Sequence, residues 1–280
     1  MSCYFPIPYN YSLDDISEYN IKSSITLLNY PTNFSLVSKK LIKKRDIFYS
    51  LYFLRNLKWI KLVDYKCEFG ENLVIERQNL DIPNDSMAVV VPSINKNNPT
   101  ITRFLPKPLS LRIDKSKVEE RCCYNFKIGG STTSYHGDFP YSMSKLNKGS
   151  LLSFDNLKKD NQKNIYSLLL LMHLSNDAEN NSSHWIDFFN IQKNKVIKKL
   201  ELKTNSFNSY DLSQISKTIN SIISIRSKTT ACIPIYLNIS TLNNKFEIDV
   251  EHTHPPSALF YNNGNRNLGN KILKKIWLTN

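Results

Sequence analysis

The chain has 280 residues, of which 41% are apolar and 22% charged, so it is long enough and apolar enough to bury a full-sized core. Its 37 basic and 24 acidic side chains give a net charge of +13 with neutral histidines. Only seven glycines occur, and neither G-x-G-x-x-G nor G-x-x-x-x-G-K-S/T is present, which argues against a Rossmann or P-loop nucleotide site.

The basic residues form five short clusters: Lys39-Lys40, Lys43-Lys44-Arg45, Lys158-Lys159, Lys198-Lys199 and Lys274-Lys275. A field of this sign attracts nucleic acid, anionic lipid headgroups or phosphorylated substrates. The clusters sit on separate elements, and Lys and Asn are abundant throughout the chain. Nucleic acid is therefore a less favoured partner than an anionic small-molecule or carrier-bound substrate.

The chain carries no pattern of a secreted or membrane-spanning protein. Its first residues lack the basic and apolar regions of a secretory signal, and the longest apolar run, within 165–172, is too short to cross a bilayer. Five cysteines, an odd number without a C-x-x-C sequence, predict neither a disulfide framework nor a cysteine zinc site. We expect a cytoplasmic protein.

In chain order, the first predicted element is helical. Apolar residues recur from Val37 through Leu41, Phe48 and Leu51 to Leu54 with basic residues between them, which predicts an amphipathic helix. From Trp59 onward the pattern predicts short strands punctuated by proline, over 59–65, 72–77, 87–91, 101–105 and 109–113.

The second half continues as strands with two helices. Further strands are predicted over 119–128, 150–154 and 165–174, with hairpins over 185–202 and 231–254 and helices over 211–223 and 268–278. Gly129-Gly130 is interpreted as a turn between strands, and His173 as a core residue. The fold class is α+β and β-dominated, with an antiparallel sandwich or double-stranded β-helix-like core, an N-terminal helical segment and two C-terminal helices. We expect a single domain, 1–280, in which 1–57 packs on a β-rich core of 58–280.

The most regular pattern in the chain is the alternation over 245–254. Phe246, Ile248 and Val250 share one face of the predicted strand, and the residues between them are acidic. With the same parity, His252 and His254 lie on the apolar face at the end of the strand. Two neighbouring imidazoles on the apolar face of a strand end indicate a functional site.

A second pair of candidate ligands occurs earlier in the chain. His136 and Asp138 are separated by one residue, so in an extended segment they face the same way. Imidazole and carboxylate suit Fe(II), Zn or Mn. We therefore predict a metal site of His136, Asp138 and His252, with His254 as a catalytic acid–base group or fourth ligand.

This arrangement resembles the His-x-Asp … His triad of the non-haem iron, 2-oxoglutarate-dependent oxygenases. The resemblance implies Fe(II), 2-oxoglutarate as cosubstrate and oxidation of a small or carrier-bound substrate. Arg266 stands where those enzymes carry the basic residue that binds the cosubstrate carboxylate, and Tyr135 is a candidate substrate contact. A hydrolase using Zn or Mn to activate water fits the same ligands.

Two other interpretations stay open. The segment from His136 to Phe139, followed by Asp155, is similar to the catalytic loop and metal-binding residue of aminoglycoside-type kinases, in which Asp138 would accept the substrate proton and Asp155 would hold Mg²⁺. The principal alternative to a metal enzyme is a non-catalytic binding or assembly protein. Its basic, aromatic surface would recognise a glycan, a nucleic acid or a protein partner.

Overall fold

The computed structural model describes residues 2–12, 20–28, 47–68, 70–94, 98–109, 122–145, 150–153, 165–190, 193, 195–212, 223–227, 229–242 and 245–252. Their regular structure is mostly strand: β1 Cys3–Ile7, β2 Tyr11–Ser12, β3 Asn20–Leu28, β4 Ile47–Arg55, β5 Lys58–Cys67, β6 Asn72–Glu76, β7 Ala88–Ser93, β8 Ile101–Thr102, β9 Cys122–Ile128, β10 Ser131–Gly137, β11 Phe139–Pro140, β12 Ser150–Ser153, β13 Ile165–His173, β14 Ser183–Asn190, β15 Lys195–Lys203, β16 Ser206–Asp211, β17 Ile223–Ser227, β18 Ile233–Leu242 and β19 Lys245–His252. Single turns of 3-10 helix cover Arg77–Asn79 and Met143–Lys145.

The chain divides into two compact units. Unit 1 consists of Met1–Ser144 and Ser175–Asn180, and unit 2 of Lys145–Leu174 and Asn181–Asn280. The described strand pairings within each unit are antiparallel. Each unit holds two sheets.

Unit 1 contains a six-stranded sheet in the order β11-β1-β7-β4-β5-β8 and a five-stranded sheet in the order β10-β9-β3-β2, with β6 also pairing with β3. In the five-stranded sheet, inward and outward residues alternate. Ile21, Ser23 and Ile25 of β3 and Tyr124 and Phe126 of β9 are buried, while Lys22, Ser24 and Asn125 are polar and more exposed. One face of this sheet therefore belongs to the core and the other is a polar outer face.

Unit 2 contains two four-stranded sheets, in the orders β12-β17-β14-β15 and β16-β13-β18-β19. Its core combines both sheets in one cluster of Leu169, Leu171, Ile186, Phe188, Leu202, Leu212, Ile225, Cys232 and Tyr236. The architecture of the unit is β-sandwich-like, because side chains from two sheets share one hydrophobic interior.

Segment 175–180 lies in unit 1, although the residues on both sides of it belong to unit 2. The carbonyl of Asn176 accepts hydrogen bonds from the Trp59 indole at 3.1 Å and from the Leu105 amide at 2.9 Å. Arg103 makes a bidentate pair with Asp177, at 3.0 and 2.9 Å. The segment thus completes hydrogen bonding around the buried Trp59.

Most strands that the sequence predicts are confirmed, because proline, glycine and short polar runs separate them. The predictions over 59–65, 87–91 and 165–174 correspond to β5, β7 and β13. Both predicted hairpins are present, as β14–β15 and β18–β19. Gly129 and Gly130 form the turn that joins β9 to β10. A β-dominated, antiparallel and sandwich-like fold is the correct class.

The helical prediction is wrong where it covers 48–55, which forms strand β4. This strand pairs with β5 on one side and with β7 on the other, and it is buried along most of its length. A strand buried on both faces shows no alternation, so its continuous apolar residues matched a helical period by chance.

The remaining helical predictions fall mostly outside the described residues. This holds for 37–46, for 213–222 and for 268–278, whereas Ile223 begins strand β17. Among the described residues, none belongs to a helix with the length and apolar character needed to cross a membrane.

Candidate ligand-binding groove

The outer face of the five-stranded sheet is built by alternation along β3 and β9. On β3, Asn20, Lys22 and Ser24 point outward because the isoleucines between and beyond them are buried. On β9, Asn125 and Lys127 point outward for the same reason. Amide, hydroxyl and ammonium groups therefore cover this face.

Two adjoining clefts lie on this face. Cleft A encloses about 500 Å³ and is lined by Asn20, Lys22, Ser23, Ser24, Glu76, Gln78, Asn125, Lys127, Gly129 and Thr132. Cleft B encloses about 450 Å³ and is lined by Asn10, Tyr11, Ser12, Asn20, Lys22, Arg77, Gln78, Leu80, Ile82 and Asn84. The clefts share Asn20, Lys22 and Gln78, so we treat them as one amide groove.

The walls of cleft B are fixed by side-chain amides. The Asn10 amide nitrogen of the backbone donates to Asn84 Oδ1 at 3.1 Å, and Asn84 Nδ2 donates to the Asn10 carbonyl at 2.8 Å. Asn10 Oδ1 also accepts from the backbone amide of Ser23 at 2.9 Å. These bonds tie the 8–12 and 80–86 loops to β3, so the groove is largely formed before any ligand enters.

Arg77 forms part of cleft B although its side chain is almost fully buried, with 2% exposure. Its Nη2 donates to the carbonyls of Pro83, Asn84 and Ser86 at 2.7, 2.9 and 2.8 Å. The guanidinium also lies over the Tyr9 ring, 5.2 Å from its centroid. Within the described part of the chain, Nε and Nη1 have no hydrogen-bond partner. Burial lowers the pKa of this guanidinium, which still stays protonated at neutral pH.

Lys22 and Lys127 are directly opposite each other on β3 and β9. Both line cleft A and both are exposed. Thr132 of β10 is opposite Lys127 on the other side, so the three side chains form one row across the sheet. The row places two ammonium groups side by side in the cleft.

Glu76 is the one carboxylate among the described residues that line either cleft. Its Oε2 accepts from Gln78 Nε2 at 3.2 Å and from Asn79 Nδ2 at 2.8 Å. On the sheet it is opposite Ser24, not opposite a lysine. Its carboxylate is therefore engaged by amides.

His136 and Asp138, predicted from the sequence to face the same way, lie in different surroundings. His136 is exposed on β10, opposite Cys123 of β9. Asp138 has 9% exposure, and its Oδ2 accepts from the Cys3 thiol at 3.4 Å. The strand parity behind the prediction ends at Gly137, the last residue of β10, so it does not extend to Asp138.

Tyr135, predicted as a substrate contact, is a core residue with 8% exposure. Its ring stacks on Tyr124 with centroids 5.0 Å apart and planes 12° apart. Burial raises the pKa of the Tyr135 hydroxyl well above its usual value. Its role as a substrate contact stays a prediction.

The predicted ligands from the C-terminal region are only partly described. The alternation over 246–250 is confirmed, with Ile248 buried and Glu247 and Asp249 exposed. His252 ends β19, opposite Ile235, but its side chain lies outside the described residues, as do His254 and Arg266. Among described side chains, no group of three or more His, Cys, Asp or Glu could hold a metal. The metal site of His136, Asp138 and His252 stays a prediction.

The sequence interpretation missed the groove residues, although one signal for them is present. Ile21, Ile25 and Leu27 mark a period of two along 20–28, which predicts a strand with Lys22 on its polar face. No comparable signal reports that Lys127 lies beside Lys22. No protein-family model matches the chain, and no curated protein matches it.

Proposed function

We propose that the protein is a non-catalytic glycan-binding protein that holds an oligosaccharide in the amide groove. The observation that carries the proposal is the pair of adjoining clefts, both lined mainly by side-chain amides and hydroxyls. An extended site of this kind suits several linked sugar rings.

The chemistry of the lining supports a polyhydroxylated ligand. Each side-chain amide offers both donors and an acceptor, and each hydroxyl can do both. Sugar hydroxyls require such mixed partners, because each of them also donates and accepts. Asn20 and Gln78 lie where the clefts meet, so they can contact neighbouring rings of one ligand.

Binding is favoured over glycoside hydrolysis. Hydrolysis of a glycosidic bond uses two carboxyl groups, separated by about 5–9.5 Å depending on the stereochemistry. Glu76 is the one carboxylate among the described lining residues, and two amides already donate to it. The lining supplies groups that orient a sugar, which is what a binding site needs.

A glycan is also favoured over single-stranded nucleic acid. Proteins that bind such strands present exposed aromatic rings on which bases stack. The aromatic residue in the described lining is Tyr11, which has 8% exposure and cannot present an open ring face. Sugar recognition needs no such platform when amides supply the contacts.

Binding of the full-length protein to a glycan microarray, followed by calorimetric titration of the best oligosaccharide, tests the proposal. We expect Asn20→Ala and Asn125→Ala each to weaken binding about three- to tenfold, the effect of one lost hydrogen bond. Asn72→Ala is the matched control, because Asn72 is an exposed amide of the same sheet on β6 that does not line the groove. Its affinity should equal that of the wild type.

The proposal is overturned if no glycan on the array binds. It is also overturned if Asn20→Ala and Asn125→Ala bind as tightly as Asn72→Ala, because the ligand then lies elsewhere. Circular dichroism of each variant shows that the fold is intact, so loss of binding reports on the groove.

The metal-dependent enzyme predicted from the sequence, with His136, Asp138 and His252 as ligands, stays a second proposal, because the side chains of His252, His254 and Arg266 lie outside the described residues. It retains Fe(II), with Zn or Mn as alternatives, and 2-oxoglutarate as the cosubstrate. Measuring bound iron, zinc and manganese in untagged wild type and in His252→Ala tests it.

A further inference from the structure

We infer that the ligand of the amide groove is an acidic glycan, with carboxylate or sulfate groups held by Lys22 and Lys127 in cleft A and by Arg77 in cleft B. This inference rests on the proposed glycan-binding function and adds the charge of the ligand. Three cations and a single, already engaged carboxylate line the groove among its described residues.

The first observation is the lysine pair. Like charges directly opposite each other on neighbouring strands destabilise a sheet. Lys22 and Lys127 occupy such positions, and within the described part of the chain neither forms an ion pair. An anion between the two ammonium groups would turn their repulsion into two attractions.

The second observation is independent and concerns Arg77. A buried guanidinium normally has a carboxylate partner, because an unpaired buried charge is costly. The Asp85 carboxylate attracts the Arg77 guanidinium at longer range, but Arg77 makes no ion pair among the described residues. Three of its N–H donors, on Nε and Nη1, stay unused in the wall of cleft B.

Tyr11 adds a fourth unused donor to the same wall. Its hydroxyl is buried beside the Tyr9 backbone amide, and among the described residues it donates to no acceptor. A carboxylate or sulfate accepts several hydrogen bonds at once, and the guanidinium fork matches the geometry of such groups. Because these donors are buried, an acidic sugar in cleft B would satisfy Arg77 and Tyr11 together only after a small shift of the side chains that cover them.

Titration of the full-length protein with matched oligosaccharides tests the inference. The probes are oligogalacturonate, its methyl ester, which has the same rings without charge, and sulfated and unsulfated dextran oligomers. We expect the methyl ester to bind at least about tenfold more weakly than the acid, the loss typical of one charge-assisted hydrogen bond. Stronger binding of sulfated dextran than of oligogalacturonate would identify sulfate as the anion and still support the inference.

Lysine variants then identify which positive charges of the groove bind the anionic group of the ligand. Lys22→Gln and Lys127→Gln should each weaken binding of the acidic probe about three- to tenfold, and should weaken binding of the methyl ester by a smaller factor. Lys58→Gln is the matched control, because it removes the same charge from β5 of the other sheet, where the lysine is exposed. It should bind as the wild type does.

Arg77 requires a readout that separates binding from folding, since it also holds the 83–86 loop. Arg77→Lys keeps the charge but loses the guanidinium fork. We expect the acidic probe to raise the melting temperature of the wild type more than that of Arg77→Lys. The methyl ester should give a smaller difference between the two proteins.

The outcomes separate the two proposals. If the acid and its methyl ester bind equally, the inference fails while the glycan-binding function stands. If affinity for the acid falls as much in Lys58→Gln as in Lys22→Gln, the attraction is general and the inference fails. If neither probe nor any array glycan binds, both proposals fail.

Discussion

At the scale of single residues, His173 of unit 2 has an environment that makes folding sensitive to acid. Its side chain is buried, and its Nε2 lies 2.8 Å from the Thr230 hydroxyl. The ring of His184 meets it edge to face with centroids 5.1 Å apart. The sequence interpretation of His173 as a core residue agrees with this burial.

The folded state favours the neutral form of the His173 ring over the protonated form. Burial, reinforced by the neighbouring His184, lowers the pKa of His173 to about 4, and a hydrogen bond that the ring donates to the Lys203 backbone carbonyl opposes the shift. The unfolded chain, with an ordinary value of 6.5, binds more protons as pH falls below 6.5. The stabilisation is therefore complete above pH 6.5, decreases as the pH falls, and is lost below about pH 4.

We predict that this residue contributes an acid-dependent stability of about 3 kcal/mol between neutral pH and pH 4. The variant His173→Gln should have a smaller slope of unfolding free energy against pH in that window, whatever its absolute stability. Urea unfolding at several pH values measures the slope. His136→Gln, at an exposed site on β10, is the control, and an equal slope in wild type and His173→Gln would contradict the prediction.

At the scale of elements, the β9–β10 hairpin depends on the absence of a side chain at Gly137. A Cβ there would lie 2.6 Å from Tyr135 Cε2 and 2.9 Å from Tyr124 Cε2. These two rings stack in the core directly beneath the glycine. Tight packing of the two tyrosines thus requires the glycine.

We predict that Gly137→Ala lowers the free energy of unfolding by about 1–3 kcal/mol, the usual cost of overpacking. The matched control is Gly130→Ala in the turn of the same hairpin, where a Cβ would meet nothing within 4 Å. It should be close to neutral. Denaturant titration compares the two, and equal stability of both variants would refute the role of the tyrosine pair.

Sequence patterns identified strands at this scale where burial is one-sided or where proline and glycine mark their ends. The alternation of β19 and the hairpin β14–β15 are examples. The patterns failed at β4, which is buried on both faces. They also left β1 and β10 unassigned, because β1 is short and buried throughout without alternation and β10 is mostly polar.

The candidate site was less predictable than the strands, and the reason is register. Lys22 and Lys127 are about a hundred positions apart in sequence, and only the β3–β9 pairing brings them together. The unused donors of Arg77 depend likewise on the conformation of the 83–86 loop. A single sequence reports side-chain chemistry but not which distant strands become neighbours.

At the scale of the whole molecule, each unit has its own pair of sheets and its own buried residues. The sequence led us to expect a single domain over 1–280, and that stays a prediction. Because the described strands of each unit form their own sheets and carry their own buried side chains, we predict two unfolding transitions for the full-length protein. Differential scanning calorimetry counts them.

Trp59 identifies the transition of unit 1, since it is fully buried there. The unfolding transition whose fluorescence change disappears in Trp59→Phe is the transition of unit 1. A single transition with equal calorimetric and van't Hoff enthalpies would instead support the single domain.

Segment 175–180 also has a consequence for how the protein is made. During synthesis, residues 1–144 leave the ribosome before segment 175–180. The Trp59 indole and the Leu105 amide therefore cannot yet donate to the Asn176 carbonyl. At roughly 5–20 residues per second, the delay lasts a few seconds. In that interval the nascent unit lacks the acceptor that the Trp59 indole and the Leu105 amide use in the finished fold.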